Sequence, residues 1–334
     1  MKRICLLLTI LPALIVGCGP DTETESIRDQ ADILFGAGRY SQALSLYEEL
    51  ASDTSEAGYD AELQFRVAET AVLASQAERN RALRQRAGTA LSLLSERPEE
   101  CDSLSIGQLW RRLGWEMVRD TDSLQAYHAF GMAILMAAEL NQTFEEEWLL
   151  RGRYAADHPA SVAGVPDSLF GTPYADSLIT SVAENHIVEL NRVPLVRTDL
   201  RGDVLLAQIA LFRYTVGREE DELNALTELD RMGRLVPAQR RRRMDVLLLL
   251  ADEDASSGDF SMARERLLEV WDSSFTGARV EAAYKLGLMA EDSGDALDAL
   301  LWYNRACSTA PGQSSAASMA AAAKRDSLRY LAAP

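Results

Sequence analysis

The 334-residue chain is predicted to be all-α: an α-solenoid of stacked helical hairpins with an irregular middle segment and a C-terminal capping helix. Three observations predict it. After residue 20 no window alternates apolar and polar residues in the strand manner; apolar residues recur at spacings of three and four, as in "LWRRLGWEMV" and "MDVLLLLADE". Turn signals separate helical segments in pairs: "GAGRY" at 36–40, "SSGDF" at 256–260 and "DSGDA" at 292–296. Finally, a small residue is followed twelve positions later by alanine and four positions after that by a bulky side chain. Ala31, Ala43 and Tyr47 show this, as do Gly114, Ala126 and Phe130, then Ala251, Ala263 and Leu267, then Gly287, Ala299 and Tyr303. Two antiparallel helices approach closely only where the facing side chains are small, and a large side chain one turn on fills the space beside the crossing.

In chain order, "MKR" and the apolar run of residues 4–16 come first. The run is too short for a bilayer, which needs about 20 residues, and suits a secretory signal over residues 1–17. The following "IVGC" resembles the lipobox of bacterial lipoproteins, with Cys18 as the lipidated N-terminus; the resemblance implies a membrane tether through that residue and, with Gly19 next, an outer-membrane address. Residues 18–23 read as a linker and 24–156 as an N-terminal array, with hairpins at 24–57 and 107–140 and, between them, one at 61–96 with a stretched loop. Residues 157–200 carry two stretches rich in turn formers and read as an insertion or kink. Residues 201–313 form a C-terminal array with hairpins at 203–236, turning near Gly217, and at 244–277 and 280–313. The alanine-rich 314–334 reads as a helix covering the last open face.

These segments resemble tetratricopeptide repeats, whose pattern is W-x2-L-G-x2-Y, then A-x3-F, then P. Trp110, Leu113 and Gly114 stand in their places with Met117 for the tyrosine, followed by Ala126 and Phe130. The last repeat matches in Gly287, Gly294, Asp295, Ala299, Tyr303, Ala306 and Pro311, with Ala283 in place of the tryptophan. The resemblance implies a groove lined by the first helix of each hairpin. Carrying its register over gives Phe65 and Glu69 in the second hairpin, Arg111, Trp115 and Val118 in the third, and Tyr284, Leu288 and Glu291 in the last. Trp110, Trp148 and Trp302 fall at core positions. The region through residue 75 is also similar to the repeat lipoprotein of the outer-membrane barrel-assembly machinery.

The remaining chemistry is sparse. With 34 basic against 51 acidic side chains the net charge is −17, which argues against general affinity for nucleic acid or anionic lipid. His128, His158 and His186 stand far apart with no ligand motif around them, and no phosphate-binding glycine loop occurs. "DEDASSGDF", from Asp252, invites calcium, but the loop pattern wants glycine where Ser257 sits and glutamate where Ala263 sits, so a hairpin turn is expected. Arg240 to Arg243 form the dense basic run; an acidic partner is expected nearby, with Glu145, Glu146 and Glu147 as candidates. Export permits a Cys101 to Cys307 disulfide, while two buried thiols suit an elongated fold better. The expectation is a non-enzymatic envelope scaffold with no cofactor, metal or catalytic set, binding protein segments. A surface lipoprotein that captures glycan or peptide with exposed tryptophans is the alternative.

Overall fold

The computed structural model describes residues 20–54, 60–97, 101–138, 144–193, 199–309 and 315–331. The signal segment, Cys18, Gly19 and Pro311 lie outside the described residues. Among the described residues there is no strand, and the chain divides into two compact units, residues 1–147 and 148–334.

The first unit is built from three hairpins. Helix α1 (Pro20–Gly36) pairs with α2 (Tyr40–Thr54), α3 (Ala61–Glu78) with α4 (Arg81–Ser95), and α5 (Ser103–Arg119) with α6 (Ser123–Ala138). Helix α1 thus begins inside the stretch read as a linker. The unit ends in the first turn of α7 (Glu145–Asp157). The second unit contains the rest of α7, the short α8 (Pro159–Val162) and α9 (Pro173–Asn191). It continues with the hairpins α10 (Arg201–Phe212) with α11 (Glu219–Arg231), α12 (Pro237–Ser257) with α13 (Phe260–Trp271), and α14 (Thr276–Asp292) with α15 (Ala296–Thr309), then α16 (Ala316–Leu331). The stretch expected to be irregular, 157–200, holds the nineteen-residue α9: Thr172 caps it by accepting from Ala175 N at 3.3 Å, and Pro173 opens it, so turn-forming residues here start a helix.

The small residue, alanine and bulky side chain of each hairpin meet as their spacing requires. Ala31, Ala43, Tyr47, Ala251, Ala263, Leu267, Ala299 and Tyr303 are all fully buried or nearly so. At Gly114 an added Cβ would fall 2.5 Å from Phe130 Cε1, and at Gly287 it would run into the Tyr303 ring. Glycine is demanded at these two crossings by space, since both sit in ordinary helical backbone. Where the bulky residue is tyrosine, its hydroxyl finds a carboxylate on the first helix of the hairpin: Tyr47 donates to Asp32, and Tyr303 to Glu291 at 2.7 Å. Burial first, and then the neighbouring carboxylate, push both phenols well above their ordinary range.

Two expectations are corrected. The loop between α3 and α4 is not stretched: it is Arg79 and Asn80, with Arg79 in the left-handed region (φ 50°) and Asn80 accepting from Ala82 N at 2.8 Å. Close crossing is possible there because Ser75, Ala87 and Leu91, all fully buried, repeat the spacing of the other hairpins. Ser75 serves as the small residue because its Oγ donates to Val72 O at 2.8 Å. Within the basic run, Arg242 and Arg243 find their acidic partners on α11 and α13. Arg242 is held by both carboxylate oxygens of the buried Glu222, at 2.8 and 2.7 Å, and Arg243 pairs with Glu269, because α12 packs between α11 and α13.

The turn at 252–260 matches its reading: Gly258 takes φ 89° at the end of α12, Asp259 caps α13 through Met262 N at 3.1 Å, and Asp252 binds Lys285 at 2.6 Å. Cys101 and Cys307 are half-buried thiols. Helix α16 lies against both α14 and α15, and Lys324 reaches Glu291 at 3.0 Å.

Candidate functional site

The eight residues carried over as groove-lining fall on the first helices of three hairpins, α3, α5 and α14. All eight are half-buried, neither sealed in the core nor free on the surface. On α3, Glu69 accepts from Arg66 at 3.0 Å, and Arg66 in turn lies 5.7 Å over the Phe35 ring. Phe65 lies one residue before Arg66.

On α5, Arg111 and Trp115 meet on one carboxylate. Glu147 is fully buried, and its Oε1 accepts from Arg111 Nε at 2.5 Å and from Trp115 Nε1 at 2.7 Å. The indole is thereby fixed, with its ring edge-on to Phe130 at 5.5 Å. Arg111 also lies 5.2 Å over Phe144. One turn of helix separates Arg111 from Trp115, which is why both reach the same acceptor. Beside them is a cavity of about 380 Å³ walled by Gln76, Arg79, Arg112, Trp115, Glu116 and Arg119. Here a buried glutamate, Glu116, is paired with the exposed Arg119. The sequence register found Trp115 but missed Glu147, which lies beyond the hairpin and carries no repeat signature.

On α14, Tyr284 and Leu288 line a cavity of about 520 Å³ closed on one side by the alanines Ala316, Ala317 and Ala320 of α16. Glu291 is engaged by Tyr303 and Lys324; the Tyr303 hydrogen bond first, and then that of Lys324, hold its carboxyl below the ordinary carboxylate range. Tyr284 lies 6.1 Å from Tyr303, ring to ring. The capping helix therefore occupies one edge of this part of the face.

The tryptophans do not form an open stacking surface. Trp110 is buried with Nε1 donating to Ser95 at 2.9 Å, Trp302 is buried 5.6 Å from Trp271, and Trp115, Trp148 and Trp271 are half-buried. Trp148, read as a core residue, is thus only partly withdrawn. Arg279 and Arg305 cover the Trp271 and Trp302 rings at 4.7 and 4.4 Å.

The architecture defines an all-α solenoid protein of tetratricopeptide-like hairpins. No protein-family model and no curated protein matches the chain. Among solved structures, it is similar to the C-terminal part of a TPR repeat-containing protein from Cytophaga hutchinsonii, at 11% identity and TM-score 0.36, over 89% of this chain and 98% of that one. It is likewise similar to a tetratricopeptide repeat protein from Parabacteroides merdae, at 11% identity and TM-score 0.30, over 92% and 99%. The quorum sensor NprR from B. thuringiensis, in its apo form, aligns at 11% identity and TM-score 0.29, over 93% of this chain and 81% of that one. The fold assignment rests on the chain's own hairpins.

Proposed function

We propose that this chain is a non-enzymatic interaction scaffold of the bacterial cell envelope, anchored by lipid on Cys18 to the outer membrane and facing the periplasm. It would hold protein segments against the first-helix face of its hairpins, with envelope or outer-membrane assembly as the setting. The observation that carries the binding part is the placement of Trp115. The indole is half-buried, locked by Glu147, and forms a wall of a cavity that also presents Arg79, Arg112 and Arg119. Rigid aromatic side chains with arginines beside them are the usual anchors of protein interfaces, because they offer large area at little entropic cost. The lipid part is supported by the lipobox-like "IVGC" after the apolar run.

Site-specific photocrosslinking in the native envelope tests the binding part. A photoreactive residue at Arg112 or Leu288 is expected to capture a protein partner that the same residue at Leu297, 82% exposed on α15, does not capture. Identical adducts from all three positions would refute the groove. The anchor is tested separately: Cys18→Ala is expected to move the chain out of the membrane fraction, and unchanged membrane retention would refute it.

A further inference from the structure

The cavity beside Trp115, between α3 and α5, is rich in cations although the chain is strongly acidic. Of its charged groups, Arg119 is neutralised by the buried Glu116, which leaves Arg79 and Arg112. Both are exposed, and neither meets a carboxylate among the described residues. The carboxylates nearest along the chain are engaged elsewhere: Glu78 accepts from Ser41, and Asp120 is paired with Arg84. Two uncompensated positive charges therefore face one cavity on a chain of net charge −17.

The backbone of Arg79 is a second, independent signal. Arg79 ends α3 in the left-handed region at φ 50°, two residues before α4 begins. At the same point the turns of α1 with α2, α12 with α13 and α14 with α15 place Gly38, Gly258 and Gly294. A residue with a side chain is strained in that conformation, and such strain persists where the side chain has a task. Thr121, the other non-glycine residue with positive φ among the described residues, uses its hydroxyl locally, donating to Asp120 O at 2.6 Å. The Arg79 guanidinium forms no ion pair or side-chain hydrogen bond among the described residues, and what it does is line the cavity.

The ligand follows from these groups. Guanidinium binds carboxylate through paired, charge-assisted hydrogen bonds, and about 380 Å³ admits side chains, not a whole helix. An extended polyanion would meet the rest of an acidic chain, whereas a short segment feels chiefly the charges within a screening length of about 8 to 10 Å. We infer that the cavity receives two neighbouring Asp or Glu side chains from an extended segment of a protein partner, with Arg79 and Arg112 binding the carboxylates beside the fixed Trp115 indole. The inference rests on the groove reading of Trp115 and adds the chemistry of the partner.

The test is an NMR titration of the full chain with acetyl-Gly-Glu-Glu-Gly-amide, read at the Trp115 indole N–H. Saturable shifts are expected with a midpoint of about 1 mM, as suits a ligand this small. The Gln-Gln analogue is expected to bind at least about tenfold more weakly. Arg79→Gly installs the residue that other hairpins use at this turn, so it is expected to unfold at the same temperature or higher and yet to weaken the probe at least about fivefold. Arg112→Gln is expected to weaken it alike, while Arg81→Gln, exposed on α4 and outside the cavity, is expected to change it by less than about twofold. The absence of a saturable shift at Trp115, equal binding of the Glu-Glu and Gln-Gln peptides, or full affinity in folded Arg79→Gly and Arg112→Gln proteins would overturn the inference. So would inorganic phosphate binding as tightly as the peptide, which would mark a general anion site. If the peptide fails while position-specific photocrosslinks persist, the groove stands and only its acidic partner falls; loss of those crosslinks as well removes both.

Discussion

The hairpins α14 with α15 and α10 with α11 are built from the same kind of helix pair and close in different ways. In the first, Gly287, Ala299 and Tyr303 stack in register, the turn is three residues long, and the ring occupies the space that a glycine leaves open. In the second, Ala225 and Leu229 are buried as the alanine and bulky residue would be, but the position twelve residues before Ala225 is Arg213, exposed and just past the end of α10. With no small residue to bring the helices together, the turn runs from Arg213 to Arg218, and a cavity remains beside Ala225. Helix α11 is joined to α12 by the ion pair between the buried Glu222 and Arg242. Steric fit thus organises one hairpin, while buried charge ties the second helix of the other to the hairpin that follows.

The largest effect should come from the charged hairpin. Arg242→Leu strands the Glu222 carboxylate, whose side chain is 2% exposed, and is expected to cost about 3 to 5 kcal/mol. Glu222→Gln keeps the shape without the charge and should cost less. Urea denaturation checks both, and equal costs would mean that burial of the carboxylate is not what matters.

At the sterically organised hairpin, Gly287→Ala and Ala299→Leu are each expected to cost about 1 to 3 kcal/mol by overpacking against rigid buried neighbours. This holds for the glycine even though alanine is the better helix former by about 1 kcal/mol. A stabilised Gly287→Ala protein would break the comparison.

Smaller effects sharpen it. Tyr303→Phe removes one hydrogen bond to Glu291, at about 1 kcal/mol. Because the folded-state pKa of Glu291 lies below its ordinary 4.5, its contribution is present above that value and is lost as the pH falls through the lowered folded pKa. Tyr303→Phe should flatten that acid limb of the stability profile, and an unchanged limb would detach Glu291 from it. Least of all, Leu297→Ala, on the solvated face of α15, should stay within about 0.5 kcal/mol by thermal unfolding.

Much of the fold was legible because close crossings restrict residue size at fixed spacing: Gly114, Gly287 and their alanines could be read without coordinates. The hairpin α3 with α4 was read with the wrong loop because Ser75 looks polar, and only its bond to Val72 O lets it act as a small core residue. Helix α9 was hidden because Thr172 and Pro173 are turn formers that here start a helix. The register placed Trp115 and Arg111 on one face. It could not show that both converge on Glu147, thirty-six and thirty-two residues away from Arg111 and Trp115, since tertiary proximity leaves no trace in local spacing. The acidic partners of Arg242 and Arg243 were missed for the same reason.

The most direct test of steric fit at the hairpin crossings is a double-mutant cycle by urea denaturation, with Gly287→Ala, Tyr303→Leu and the pair. If the ring and the missing Cβ share one space, the alanine is tolerated once the ring is gone, and the coupling should exceed about 1 kcal/mol. Costs that add to within about 0.5 kcal/mol would contradict the account.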